Sequence, residues 1–329
     1  MNSLPDWARA HGEPLFAARI RSTPEDFAVT EVLGYDFSDD GEHDYLFICK
    51  RGANTEWVAR QLARFAGVAA KEVGYSGLKD RHAVTRQWFS VPRWNAPDWD
   101  ALEIEGVVIE TRERHRKKLR RGVHRENQFR IVLRGEGYAG RADDVSTRLQ
   151  LIRTAGVPNY FGEQRFGRDG GNLALANEWA SGARLPRHKR SLAISTVRSF
   201  LFNDILQQRV VDGTWNQVLD GDTVNLDGTG SVFDVDGVDD DIRQRSADLD
   251  LHPTAPLAGD GSTGQAAYVR WPDWMSALAK ARVEPAARAT RLRVRDLEAH
   301  LEDDALTLSF ALGKGAYATS VLREIAATG

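Results

Sequence analysis

The segment Gly77-Leu-Lys-Asp-Arg-His-Ala-Val-Thr-Arg-Gln-Trp-Phe-Ser-Val91 places a carboxylate, Asp80, between two cations in a turn that leads into a β-rich run. Neighbouring side chains of an extended turn alternate in direction, so Lys79 and Arg81 would leave the backbone away from Asp80. Asp80 could then point into a cleft while its neighbours face a phosphate backbone; the plainer alternative is a solvated turn. A carboxylate held in this way can attack carbon as a nucleophile or remove a proton as a base. Downstream, Thr111 to Arg134 holds ten Lys or Arg against two Glu, a local net of +8, with Phe129 among the cations. Basic side chains interleaved with an aromatic ring suit phosphates and an unpaired base. A salted surface strand would share that composition.

Other chemistries drop out on motif grounds. No G-x-x-x-x-G-K-S/T, G-x-S-x-G or H-E-x-x-H occurs, which removes phosphate-loop, hydrolase-elbow and zincin readings. The single cysteine, Cys49, excludes an internal disulfide and every multi-cysteine zinc site, including that of the zinc-dependent nucleobase deaminases. Asp234-Val-Asp-Gly237 lacks the terminal Glu of an EF-hand and reads as a solvated acidic face. No metal site and no cofactor are expected. The net charge of -3 is a cancellation, because Asp220 to Asp250 holds ten Asp against two Arg. No apolar run approaches the ~18 residues of a membrane span, and the opening MNSLPDWARAHGEPLF is charged where a signal peptide is apolar. A cytoplasmic protein with no membrane contact and no obligate protein partner is expected.

The elements that must position Asp80 are mostly legible. Phe27, Val29 and Glu31 alternate on one face, residues 45–49 form a short apolar run, and Thr85 to Val91 is β-rich, which predicts three strands. Between them Asn54 is placed to cap a helix with Trp57, Val58, Leu62 and Phe65 at helical spacing, ending near Gly67. Beyond Gly140 the texture turns helical, with helices predicted over 144–155, 172–180, 196–211, 239–249 and 273–281. Prolines 253, 256, 272 and 285 break up the region from 250 to 290. A final strand has Leu306, Leu308, Phe310 and Leu312 on one face, and a helix-like segment completes the chain. At 329 residues, two domains are predicted.

Four segments, PEDFAVTE (24–31), GLKDRHAVTRQ (77–87), KLRRG…ENQF (118–129) and GVPNYFGEQRFGRDGGN (156–172), together resemble the TruD family of tRNA pseudouridine synthases, in the family's order. The closing GKGAYATSVLREI is similar to the end of the family's chain, so the resemblance spans nearly everything. It implies an α+β fold: a circularly permuted pseudouridine synthase catalytic domain with a mixed, largely antiparallel sheet (1–153 and 300–329), and an inserted, mainly helical α/β TRUD domain (154–299). The closing strand and helix should then return to the first domain.

The resemblance also implies isomerisation of uridine to pseudouridine in folded tRNA, at position 13 of the D arm, with Asp80 as catalytic carboxylate. It puts the family's basic residue at Arg21, the charge partner of Asp80, and its substrate-binding residues at Asn127, Phe129 and Phe27. Phosphate contacts are expected from Lys79, Arg81, Lys117, Lys118, Arg120, Arg165 and Arg168. Uracil leaves C1′ through N1 and rejoins through C5, so no redox cofactor is required, and two roles are open to Asp80, nucleophile at C1′ or base at the 2′ position. Two other classes fit the residues: a non-catalytic RNA-binding module, and a carboxylate-dependent hydrolase or nuclease pairing Asp80 with Glu31 or Asp26.

Overall fold

The structure, a computed structural model, describes residues 4–135, 140–167, 170–302 and 304–328. In chain order the first elements are strands β1 (Phe16–Ala18), β2 (Phe27–Val32) and β3 (His43–Lys50), helix α1 (Thr55–Ala66), and strands β4 (Gly74–Tyr75), β5 (Val84–Pro92), β6 (Val107–His115) and β7 (Glu126–Arg134). Helix α2 (Ala142–Ala155), strand β8 (Val157–Pro158), helices α3 (Gly171–Ala180) and α4 (Arg187–Val211), and strands β9 (Thr223–Leu226) and β10 (Val232–Asp234) come after them. Next are α5 (Asp240–Ala247), β11 (Leu251–Leu257), α6 (Ala266–Arg270), α7 (Pro272–Lys280), β12 (Ala286–Ala289) and β13 (Arg291–Leu292). The last elements are β14 (Arg295–Leu301), β15 (Ala305–Gly313), α8 (Ala318–Leu322) and β16 (Ala326–Thr328). The fold is α+β, with β1–β8 before residue 160, β9–β16 after residue 220, and the longest helix, α4, between them.

One compact unit comprises residues 16–143, 295–315 and 327–329. Its sheet runs β14-β15-β7-β2-β5-β3-β6, with β4 added to β5. Only the β2/β5 pair is parallel among the described pairings of this sheet. Paired residues point to the same face, and the register sets Phe310 opposite Phe129, Phe129 opposite Val29, Val29 beside Thr85, and Thr85 opposite Lys50. A row of side chains therefore crosses five strands on one face. Alternation puts Leu46, Ile48, Phe89 and Val91 on that same face, where α1 covers them.

Helix α1 follows the expected bounds, from Asn54 at the N-cap position to Gly67, whose φ of 67° closes the helix in the left-handed region that glycine tolerates. The Asn54 side chain makes no capping bond. Its buried stripe is Thr55, Val58, Ala59, Leu62, Ala63 and Ala66, with Val58 and Leu62 fully covered, which contributes about 1.5–3 kcal/mol each. Trp57 and Phe65, expected in that stripe, lie more than a third exposed at its margins.

The second unit comprises residues 1–15, 144–294 and 316–326. Its core gathers Trp7, Tyr160, Phe166, Phe200, Leu201, Leu206, Trp274 and Leu278 around α3, α4 and α7, beside a sheet of order β10-β9-β11-β12. Prolines 253 and 256 do not interrupt the chain as expected: both lie within β11, which pairs with β9 through 253 and with β12 from 254 onward. Alternation turns the nitrogen of Pro256 toward the side where β9 has ended, so no ladder bond is lost there.

The chain ends differ from the expected division. Strand β15 joins the eight-stranded sheet, whereas α8 and the first 15 residues pack in the helical unit. The reason is a set of bonds close to Tyr160: its hydroxyl donates to the Ala8 carbonyl, its carbonyl accepts from Ser320 Oγ, and the buried Glu324 carboxylate accepts the Ala10 and His11 N–H groups at 3.0 Å.

Candidate active site

Asp80 sits in the turn between β4 and β5. Its Oδ1 accepts the His82 N–H at 2.9 Å, a local bond that closes the turn over two residues, and its Oδ2 lies 3.2 Å from Arg21 Nη2. Both side chains keep about a third of their surface, 35% and 36%, so the carboxylate is accessible and has a cation beside it. Arg21 has a φ of 58°, unusual for a residue with a Cβ. It stands next to the Pro24–Asp26 turn, in which the Asp26 carboxylate accepts the Thr23 N–H and a bidentate bond from Arg134. Arg134 is what holds the Asp26 carboxyl below its usual range, chiefly through those bonds.

From Arg21 the site continues through aromatic rings. The guanidinium lies 4.4 Å from the centre of the Phe27 ring, Phe27 meets Phe129 edge to face at 6.3 Å, and Phe129 stacks on Phe310 at 5.3 Å with 23° between planes. Two residues along β7, Asn127 approaches His124 Nε2 at 3.3 Å, while Asn127 Oδ1 is buried with no hydrogen-bond partner among the described residues. His124 Nδ1 in turn lies 2.6 Å from Ser76 Oγ. Burial drives His124 down to about 4, so the ring is neutral near pH 7. A carboxylate about one-third exposed, a cation stacked on a ring, and a buried carbonyl oxygen left open thus lie together, an arrangement able to hold a planar base and act on the sugar carbon beside it.

Comparison with known proteins identifies the class. A family model described as tRNA pseudouridine synthase D (TruD) matches residues 10–179 and 171–325. The tRNA pseudouridine synthase D of Methylococcus capsulatus is 46% identical, over 97% of this chain and 94% of its own; that of Hydrogenovibrio crunogenus is 42% identical, over 98% and 96%. The chain belongs to the TruD family. As a member of it, the chain is an isomerase of the pseudouridine synthase class. The fold agrees: the crystal structure described as the TruD protein of Methanosarcina mazei superposes with a TM-score of 0.72 at 20% identity, over 96% of this chain and 95% of that one.

The expected phosphate contacts of this TruD-family chain divide. Arg81, Lys117 and Arg120 are exposed, and none has an ion-pair partner among the described residues. Lys79 is corrected: its ammonium points inward to Glu31 Oε2 at 2.7 Å, with 6% and 0% of the two side chains exposed. The buried Glu31 carboxylate supplies the counter-charge that holds Lys79 inward. Lys118 donates to the Lys71 carbonyl and lies 3.8 Å from Glu72. Arg165 is also engaged, donating to the Tyr317 hydroxyl and to Ser195 Oγ. Arg168 lies outside the described residues. Glu31 and Asp26, the carboxylates that a hydrolase reading would pair with Asp80, are committed to Lys79 and Arg134.

Sequence reasoning missed Lys50, which ends β3 beneath the Asp80 turn and is 1% exposed. A signal existed: alternation from Leu46 and Ile48 assigns position 50 to the buried face. Alternation also places Phe310 on a face, but its contact with Phe129 requires the β15/β7 register. The polar support of the turn, Thr55 Oγ1 accepting the Lys79 N–H at 3.0 Å and donating to Gln87 Oε1 at 2.8 Å, joins residues up to 32 apart and left no local trace. No helix is long and apolar enough to cross a membrane among the described residues.

Proposed function

We propose that the protein isomerises uridine to pseudouridine in folded tRNA, at position 13 of the D arm, with Asp80 as the catalytic carboxylate. The single observation that carries the reading is the run Asp80–Arg21–Phe27–Phe129, in which a carboxylate, its counter-charge and a ring stack are continuous. In this reading the target uridine leaves its helix at a cost of a few kcal/mol, and stacking on Phe129, worth ~1–3 kcal/mol per base, offsets it. Asn127 Oδ1 takes a hydrogen bond from the uracil edge. The ionised Asp80 acts at the ribose, the N1–C1′ bond breaks, the base turns, and C5 bonds to C1′; C5 then gives up its proton and N1 gains one, so atoms balance without an oxidant or water. Arg21 supplies the counter-charge beside Asp80. Arg81, Lys117 and Arg120 bind phosphates, consistent with a target recognised by shape and backbone. The sheet unit is assigned as the catalytic domain and the helical unit as the TRUD domain.

The test is Asp80→Asn, which keeps size and removes charge. Pseudouridine in a folded tRNA transcript should fall below a few percent of wild type, while tRNA affinity changes little because phosphates supply most of it. Turnover well above that level overturns the assignment of Asp80. Equal wild-type rates on folded tRNA and on a free uridine nucleotide would overturn the assignment of the substrate.

A further inference from the structure

Lys50 is a buried cation with no carboxylate within 4 Å among the described residues. Its side chain reaches the underside of the Asp80 turn, where Nζ donates to the Ala53 carbonyl at 2.7 Å and approaches the carbonyls of Asp80 and Lys79 at 3.3 and 3.5 Å. An ammonium group withdrawn from water costs several kcal/mol unless neighbours compensate it. Here the compensation comes from three carbonyl oxygens and from the Asp80 charge beyond them. All but the Ala53 oxygen belong to the turn that presents Asp80, whereas Arg21 contacts the Asp80 carboxylate itself.

We propose that Lys50 is a positioning residue for the reaction: its buried ammonium group ties the Asp80 turn to the end of β3, fixes the direction of the carboxylate, and supports its charge from beneath. The inference rests on Asp80 being the catalytic group. The groups facing Lys50 are Asp80 and Lys79 from the turn, Cys49 on its own strand, Thr85 opposite it on β5, and Thr55 at the start of α1, whose hydroxyl holds the Lys79 N–H. Lys79 is already neutralised by Glu31, which leaves Asp80 as the anion that Lys50 serves. Burial lowers the Lys50 ammonium from 10.5 to about 8, with Lys79 adding to the effect and Asp80 opposing it. Lys50 is therefore charged at pH 7 and discharges through about pH 8, loosening the turn as it does so.

The test compares wild type, Lys50→Met and Lys50→Arg on folded tRNA between about pH 6.5 and 9, with circular dichroism melts alongside. Wild-type kcat should fall through an alkaline limb near the Lys50 value. Lys50→Met, which keeps most of the length of the side chain without its charge, should lose about tenfold or more in kcat with KM within about twofold, and should show no such limb. Lys50→Arg, whose charge does not titrate in this range, should move the limb upward. A folded Lys50→Met variant with wild-type kcat overturns the proposal. If that variant does not fold, a wild-type kcat flat across the range overturns it. Asp80→Asn, run beside these, separates the two readings: if it turns over, the role of Asp80 fails; if it is inactive while Lys50→Met matches wild type, only the role of Lys50 fails.

Discussion

Lys79 offers a sharp test of how charge is used beside Asp80, because its sequence position suggests a phosphate contact and its geometry a buried pair. Lys79 Nζ lies 2.7 Å from Glu31 Oε2, and Glu31 Oε1 accepts the Trp88 N–H at 3.2 Å. An exposed pair of this length would be worth ~0–1 kcal/mol, but Glu31 is fully buried, and removing its partner leaves an uncompensated charge, a loss of about 3–5 kcal/mol. Lys79→Met should therefore lower unfolding free energy by that amount in urea titrations at unchanged m. The double variant Lys79→Met/Glu31→Gln should recover most of the loss, since Gln still accepts from Trp88 without carrying charge. Binding of tRNA measured at several salt concentrations should keep its slope. A phosphate contact predicts the reverse: a loss below ~1 kcal/mol and a log–log slope flatter by ~0.7–0.9. That pair of results would refute the argument.

Three further outcomes are expected. Arg21→Gly removes the charge but relieves a left-handed residue, a strain of about 1–2 kcal/mol, so stability should shift by less than about 1 kcal/mol while turnover collapses; Arg21→Lys should retain more activity than Arg21→Ala, and full activity in the alanine variant would assign the counter-charge elsewhere. His124 has its folded value lowered from 6.5 to about 4, so the unfolded chain binds more protons between those values; its contribution is full above about pH 6.5 and is lost as pH falls toward 4, and His124→Gln should flatten that fall in urea midpoints. Replacing the two unpaired cations Lys117 and Arg120 by Gln should flatten the salt dependence of tRNA binding by about 1.4–1.8, with no change in the melt; an unaltered slope would move the RNA path to other cations.

What was legible in the sequence was what neighbours in the chain decide. The Asn54 to Gly67 helix follows from its periodicity and its terminal glycine, β2 and β15 follow from alternation within nine residues or fewer, and β5 from its β-rich residue types. The motif residues around Asp80, Phe27, Asn127 and Phe129 stood out as local strings, and the resemblance to the family rested on them. Tertiary structure alone decided how charges were paired. Lys79 and Arg81 look equivalent in the string, yet one is buried against Glu31, 48 residues away, and the other is exposed. Lys118 and Arg120 differ likewise, because the first reaches the Lys71 carbonyl. Lys50 reads as the polar end of an apolar strand until β3, β5 and the Asp80 turn close over it. The physical reason is common to these cases: whether a charge is solvated, neutralised or left buried depends on groups brought within 4 Å by strand register and turn geometry, and Coulomb energies at that range change several-fold with burial. A one-dimensional pattern specifies the residue types but not those distances.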